Sequence, residues 1–271
     1  MRDARGAPSL DPVSNLRLAS WNLLHGRSLM DGKTRPEDLH AGAKQLDPDV
    51  VALQEVDRFQ QRSGGVDQTA EIAAAAGASW WTFVPSLWGV PGRDWTPTSP
   101  DEPDDQGRAA YGVGLVSRLP VLEWDVLRFP PAPMAMPLLV PGQGLVKVDD
   151  EPRVAVRAVV SGPSGPFTVI GTHLSFVPGV NARQLRRVVR WAAGKPAPHV
   201  LLGDLNMPGR LPEWVSGWRQ LARVRTYPSW KPRVQFDHVL ASPVTAHQVR
   251  NVESMRLPVS DHNAVAVTLT L

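Results

Sequence analysis

The chain has 271 residues with hydrophobic and charged shares of 42% and 20%, the profile of an ordinary globular protein with a sizeable core. It has no cysteine, which excludes disulfides, thiolate nucleophiles, zinc fingers and iron–sulfur clusters. A net charge of +3 is too small to imply a nucleic-acid partner by itself. With no apolar leader after Met1 and no apolar run of membrane length, the expectation is a soluble, cytoplasmic protein.

Residues 1–15 are charged and carry Pro8 and Pro12, which reads as a flexible tail before a single domain over 16–271. Leu16 to Leu23 reads as the first strand. A helix follows, with Thr34 as N-cap, Pro36 in the first turn and Glu37 three residues after the cap. Val50 to Gln54 reads as a buried strand that delivers Glu55, and Asp67 to Ala76 as an alanine-rich helix closed by Gly77. In the Trp80-Trp81 pair, opposite faces of a strand would place at least one ring in the core. Pro85 to Arg108 and Pro130 to Pro152 read as two long loops.

Tyr111 to Val116 and Val121 to Phe129 are strands around the turn Ser117-Arg118-Leu119-Pro120. Arg153 to Val160 and Phe167 to His173 form a second hairpin signal. Asn181 to Ala193 is helical, and later strands are Val200 to Gly203, Val234 to Leu240, the region of Val249, and Ala264 to Leu271. Many strands with a few interspersed helices point to an α/β (α+β) fold, two mixed sheets packed together and flanked by helices.

Four apolar runs end in acidic or amide motifs: Ser20-Trp21-Asn22, Leu53-Gln54-Glu55-Val56-Asp57, Gly203-Asp204-Leu205-Asn206 and Ser260-Asp261-His262. A strand ending in such a group presents it at the rim of a sheet. If the rims meet, Asn22, Glu55, Asp204, Asn206 and Asp261 surround one pocket together with His173 and His262. Oxygen donors of this kind suit Mg²⁺, Mn²⁺ or Ca²⁺. Glu55 or Asp261 could hold the cation, Asp204 could orient a water or take its proton, and Asp237 could fix the tautomer of His262. Taken singly, each motif has an ordinary structural reading. Asn22 could satisfy a strand end, and Asp204 with Asn206 could form an Asx-turn. Those readings must succeed independently at every position.

In this order the motifs resemble the endonuclease/exonuclease/phosphatase superfamily of metal-dependent phosphoesterases, nearest its deoxyribonuclease and sphingomyelinase branches, from Trp21 to His262. The resemblance implies a four-layered sandwich, two mixed β-sheets face to face with helices outside. It implies Glu55 as principal metal ligand with Asn22 beside it and Asp261 in support. It gives Asp204 the attacking water, Asn206 the phosphate, and His262, paired with Asp237, a role on the phosphate or as acid/base. His173 matches a histidine of the deoxyribonuclease and sphingomyelinase branches. Leu24 stands where abasic-site endonucleases carry a second acid, which argues against that branch, and Gly112-Val113-Gly114 lacks an asparagine often seen there.

The implied activity is Mg²⁺-dependent hydrolysis of a phosphodiester, with nucleic acid as one candidate substrate. A lipid or inositol phosphoester is the alternative, with membrane lipid as a partner. A catalytically inactive scaffold is disfavoured because the Glu, Asp and His positions are all filled. No protein partner is evident. Arg183, Arg186, Arg187 and Arg190 share one helical face, and Arg223, Arg225, Lys231 and Arg233 interleave with Tyr227 and Trp230. The first group is an ordinary solvated face or a polyanion track. The second lies near the expected pocket.

Overall fold

The computed structural model describes residues 15–99, 107–140 and 144–271. Most of the expected tail and the acidic run from Asp101 to Asp105 lie outside the described residues, as do the side chains of Leu138 and Leu139. Asn15 already opens the first strand.

One mixed sheet has seven strands: β1 (Asn15–Asn22), β2 (Val50–Arg58), β3 (Trp80–Gly89), β4 (Trp95–Pro97), β5 (Ala110–Ser117), β14 (Val249–Met255) and β15 (Ala264–Thr270), in the order β14-β15-β1-β2-β5-β3-β4. The other has six: β6 (Val121–Phe129), β9 (Arg153–Gly162), β10 (Gly165–His173), β11 (His199–Asp204), β12 (Arg219–Gln220) and β13 (Asp237–Ser242), in the order β12-β13-β11-β10-β9-β6. β7 (Met136–Val140) and β8 (Gly144–Val148) pair with each other alone. The helices are α1 (Pro36–Leu46), α2 (Gln68–Ala76), α3 (Val180–Ala192) and α4 (Leu211–Ser216).

The alternation of side chains along each strand builds the layers. Leu16, Leu18, Val50, Ala52 and Leu115 meet Val154, Val156, Val169, Val200, Leu202 and Val239 between the two sheets. The opposite faces of β1 and β2 (Ala19, Trp21, Val51, Leu53) bury Leu39, Ala43 and Leu46 of α1 and Ile72 and Ala73 of α2. On the far side Ala155, Ile170, Leu201 and Leu240 bury Leu185, Val188 and Ala192 of α3. The result is the expected four-layered sandwich.

Each sheet has one parallel pair near its middle, β1 with β2 and β10 with β11. Parallel neighbours end at the same rim. That is why Asn22 lies level with Gln54, and His173 level with Asp204.

Several local readings need correction. The N-cap of α1 is Arg35, without a side-chain cap, while Thr34 bridges back to Arg27. Trp80 and Trp81 are both 41% exposed, because β3 is covered only from Phe83 onward. The first expected loop holds the end of β3 and all of β4. β3 runs on to Gly89 through an irregularity between Pro85 and Leu87, the kind of site where a sheet tolerates proline, and Trp88 is buried. The second contains the β7–β8 hairpin. β5 and β6 form no hairpin, since the turn at Ser117 to Pro120 carries the chain from one sheet to the other. β13 begins at Asp237, and Val234 only bridges to Tyr227.

Two buried positions give measurable expectations. A Cβ on Gly42 of α1 would lie 2.4 Å from Cη2 of Trp21, the residue before Asn22. Gly42→Ala gains helix propensity of about 1 kcal/mol, but overpacking against the ring costs about 1–3 kcal/mol. Urea unfolding should therefore show a net loss, and a raised midpoint would contradict this packing. His238 on β13 is fully buried and hydrogen-bonds through Nε2 to the Met207 carbonyl oxygen at 2.9 Å. Burial pulls its pKa down to about 4. Below pH 6.5 the unfolded chain takes up a proton that the folded chain refuses, so this group costs stability as pH falls through that window. Relative to wild type, His238→Gln should gain on the order of 3 kcal/mol between pH 7 and pH 4, read from unfolding curves across that range. A difference independent of pH would refute the assignment.

Candidate active site

The cleft forms where the parallel pairs end. It measures about 550 Å³ and is lined by Glu55, Asp204, Asn206, Asp261, His173 and His262, with Tyr111, Glu151, Arg153, Phe176 and Tyr227 among the remaining walls. Residues from seven distant stretches of chain share it. Among the described residues, His40 instead pairs with Glu71 and His199 stacks on Trp218.

Glu55 does not end its strand. β2 continues to Arg58, and the register against β5 breaks between Leu53 and Val56. This bulge re-aims one side chain. Glu55 takes a φ of 54°, in the left-handed region, which costs an L-residue roughly 1–2 kcal/mol. Gln54 is held down by Ser20, whose hydroxyl donates to Gln54 Oε1 at 3.2 Å. Asn22, fully buried at the end of β1, donates from Nδ2 to Glu55 Oε1 at 3.0 Å and to Asp204 Oδ2 at 3.1 Å. One amide thus ties the two sheets' carboxylates together, while its oxygen accepts from the Leu24 backbone N–H.

Gly203 precedes Asp204 because nothing larger fits. A Cβ there would lie 2.2 Å from the Thr172 carbonyl oxygen on β10. Asp204 Oδ1 accepts from the Asn206 backbone N–H at 3.0 Å, so the Asx-turn is real and also sets the carboxylate's orientation. Asn206, at a φ of 51°, donates from Nδ2 to the Leu174 carbonyl oxygen at 2.9 Å and reaches His173 Nε2 at 3.2 Å. His173 Nε2 also stands 3.8 Å from Asp204 Oδ2.

Asp237 lies directly across the ladder from Asp204. Its Oδ2 meets His262 Nδ1 at 2.8 Å, and Asp237 itself is fully buried. This fixes the imidazole and leaves Nε2 as the nitrogen available to the cleft. The Tyr227 ring packs on His262 with centroids 4.9 Å apart. Ser229 N–H donates to the Asp261 carbonyl oxygen at 2.7 Å and anchors the same turn.

The electrostatics follow from crowding acids in a dry place. Burial, then the charge of Asp261, raises the Glu55 carboxyl above its ordinary range. Burial raises Asp261 as well. Burial and the facing Asp237 push Asp204 up to about 7. Burial alone would lower His262, but Asp237 and then Asp204 and Asp261 overcome it and raise it to about 10. His173, buried and near Arg153, is held well below its ordinary value.

Glu55 and Asp261 fit a hard divalent cation. Both offer carboxylate oxygens, and both carry a repulsion that such an ion relieves. A second potential donor set is Asp204, Asp237 and His262, with ligand atoms within 4.8 Å of one another. There the imidazole Nδ1 is already engaged by Asp237.

Sequence reasoning did not single out Glu151, Arg153 or Phe176 for the site. A signal existed. β9 runs antiparallel to β10, so its beginning shares a rim with the end of β10 at His173. Charged residues just before an alternating strand carry the same information as those just after one.

A model of the Endonuclease/Exonuclease/phosphatase family matches residues 19–262. Among solved structures, an endonuclease/exonuclease/phosphatase from Beutenbergia cavernae DSM 12333 is 23% identical with a TM-score of 0.67, covering 95% of this chain and 72% of its own. The mannosyl-6-phosphatase of Bacteroides thetaiotaomicron VPI-5482 is 17% identical with a TM-score of 0.61, covering 94% and 100%. D. rerio TDP2 complexed with single strand DNA product is 17% identical with a TM-score of 0.60, covering 95% and 100%. No curated protein matches the chain. The match of the family model, over nearly the whole sandwich and all of the motif-bearing strand ends, shows that the chain belongs to the endonuclease/exonuclease/phosphatase family, whose named activities break phosphoester bonds.

Proposed function

We propose that the chain is a Mg²⁺-dependent phosphoesterase that hydrolyses a phosphodiester by attack of water. One observation carries this reading: Glu55, Asp204 and Asp261 share a cleft with His173, Asn206 and the Asp237–His262 pair. Glu55 and Asp261 would hold the cation, with Asn22 positioning Glu55. When bound, the ion polarises a phosphoryl oxygen and offsets the charge that grows in the transition state. Mn²⁺ or Ca²⁺ suits the same oxygens.

The chain's own groups divide the remaining work. Asp204, with its basicity raised toward neutrality, takes a proton from the attacking water as the new P–O bond forms and the P–O bond to the leaving group breaks, the leaving alkoxide taking its proton from solvent. His262, held as imidazolium by Asp237, sets a fixed positive charge against the phosphoryl oxygens. The Asn206 backbone N–H holds Asp204 Oδ1, and His173 stands beside its Oδ2.

Nucleic acid is the favoured polyanionic substrate, on the exposed Arg223, Arg225, Trp230, Lys231 and Arg233 around Tyr227, which itself lines the cleft. The four arginines of α3 are exposed, with Arg187 over the Phe129 ring, and none lines the cleft.

Glu55→Gln and Asp204→Asn should each lower turnover of a nitrophenyl phosphodiester by about a thousandfold or more with an unchanged circular dichroism spectrum. EDTA should abolish turnover and Mg²⁺ or Mn²⁺ restore it. A folded Glu55→Gln protein at full speed, or activity indifferent to chelation, would sink the reading. Parallel assays on plasmid DNA, RNA, sphingomyelin vesicles and phosphoinositides name the substrate, and lipid turnover without DNA cleavage would replace nucleic acid. His262→Ala should reduce kcat more than it raises KM. A change in KM alone would assign His262 to substrate binding.

A further inference from the structure

Arg153 opens β9 and lines the catalytic cleft, yet no step above uses it. It is 6% exposed. A buried guanidinium ordinarily spends its five N–H groups on partners. Here, among the described residues, its one hydrogen bond is a long contact of 3.4 Å from Nη2 to Asp150 Oδ1, and its Nε is buried with no partner.

Asp150 does not depend on that contact. Its Oδ2 already accepts from the Ala132 backbone N–H at 2.8 Å and from Ser175 Oγ at 2.7 Å. Glu151 is its other acidic neighbour, and the two share no hydrogen bond. In a structural ion pair the buried cation is saturated and geometry is tight. At Arg153 the acid is satisfied elsewhere and the cation is left over. The guanidinium charge is felt by Glu151, Asp150, Tyr111 and Glu55, and by His173 at the end of the neighbouring strand β10. It therefore sits among the groups that would handle the reacting phosphate.

We propose that Arg153 is a substrate-binding residue whose unspent N–H edge takes non-bridging oxygens of the phosphate in the cleft. This rests on the phosphoesterase reading of the cleft. The planar fork of a guanidinium matches a phosphate edge, and a bound phosphate supplies the partners that the protein withholds. A fixed cation also answers a problem of charge. A cleft walled by Glu55, Asp204, Asp261 and Glu151 repels an anionic substrate, and Arg153 offsets part of that repulsion before any chemistry begins.

The test uses inorganic phosphate as the probe, measured by calorimetry with and without Mg²⁺, on wild type, Arg153→Gln and Arg153→Lys. Arg153→Gln should weaken phosphate binding about tenfold or more, with a similar rise in KM for the nitrophenyl phosphodiester and an unchanged melting temperature. Arg153→Lys keeps the charge but loses the fork, so it should recover only part. If Arg153→Gln fails to fold, Arg153→Lys decides: weakened phosphate binding at a native melting temperature supports the assignment, and wild-type affinity overturns it. A folded Arg153→Gln that binds phosphate like wild type overturns it too, as does a wild-type protein that binds no phosphate. Phosphate binding that depends on Arg153 in a protein without turnover supports the residue's role and refutes the proposed activity instead.

Discussion

Like charges buried side by side repel, and the cleft of this sandwich is organised around that repulsion. Asp204 and Asp237 face each other across β11 and β13, and Glu55 and Asp261 close the same space. In bulk water such a group would disperse. Here each acid is held by backbone that has no freedom to yield, at a strand end, in a bulge or within an Asx-turn. The protein relieves part of the strain with His262, which Asp237 keeps charged, and with the amide of Asn22, which donates to two of the carboxylates. The remaining repulsion is the kind that the cation proposed for Glu55 and Asp261 would relieve. Carboxylates so placed are unfavourable for the isolated protein and useful to a reaction that brings more negative charge in, which is the trade between stability and activity expected of an active site.

Both sheets contribute, with four of these side chains each. The seven-stranded sheet supplies Asn22 and Glu55, and Asp261 and His262 just before β15. The six-stranded sheet supplies His173, Asp204, Asp237 and Arg153. The cleft therefore exists only while the sheets stay packed, and the interior layer of Leu18, Ala52, Val156 and Leu202 is as necessary to it as any acid.

Much of this was legible in the sequence because it depends on period and position. Apolar runs that stop at Asn22, His173 and Asp204 are parallel strands ending at one rim, and a residue pattern can report that. The Asp237–His262 pair was legible from side-chain chemistry, since an imidazole that presents one nitrogen to a cleft needs a partner for the other. The bulge at Glu55 was not. Leu53-Gln54-Glu55-Val56 carries no glycine to mark a left-handed φ, and the strain is imposed by the tertiary context. The second half of β3 was hidden by Pro85, because a proline that would end an interior strand is tolerated at an irregular pairing. The switch of sheets at Ser117 to Pro120 looks locally like any hairpin turn, and only the global packing distinguishes them. Arg153 is not marked by a strand end, because in an antiparallel neighbour the same rim is reached at a strand's beginning.

The place of β15 has a bearing on how the chain acquires its shape. It lies between β14 and β1, bonded to both, although 255 positions in the numbering separate Asn15 from its partner Thr270. As the polypeptide leaves the ribosome, β1 and β2 emerge early but lack one flank until the last strand arrives. Contacts of such separation are slow to form. Until then the apolar edge of β1 is open to other chains, a window in which a chaperone or a mispaired neighbour competes for it. Assembly of the cleft must therefore wait until β15 has been synthesised, because Asp261 and His262 come just ahead of the strand that locks them in.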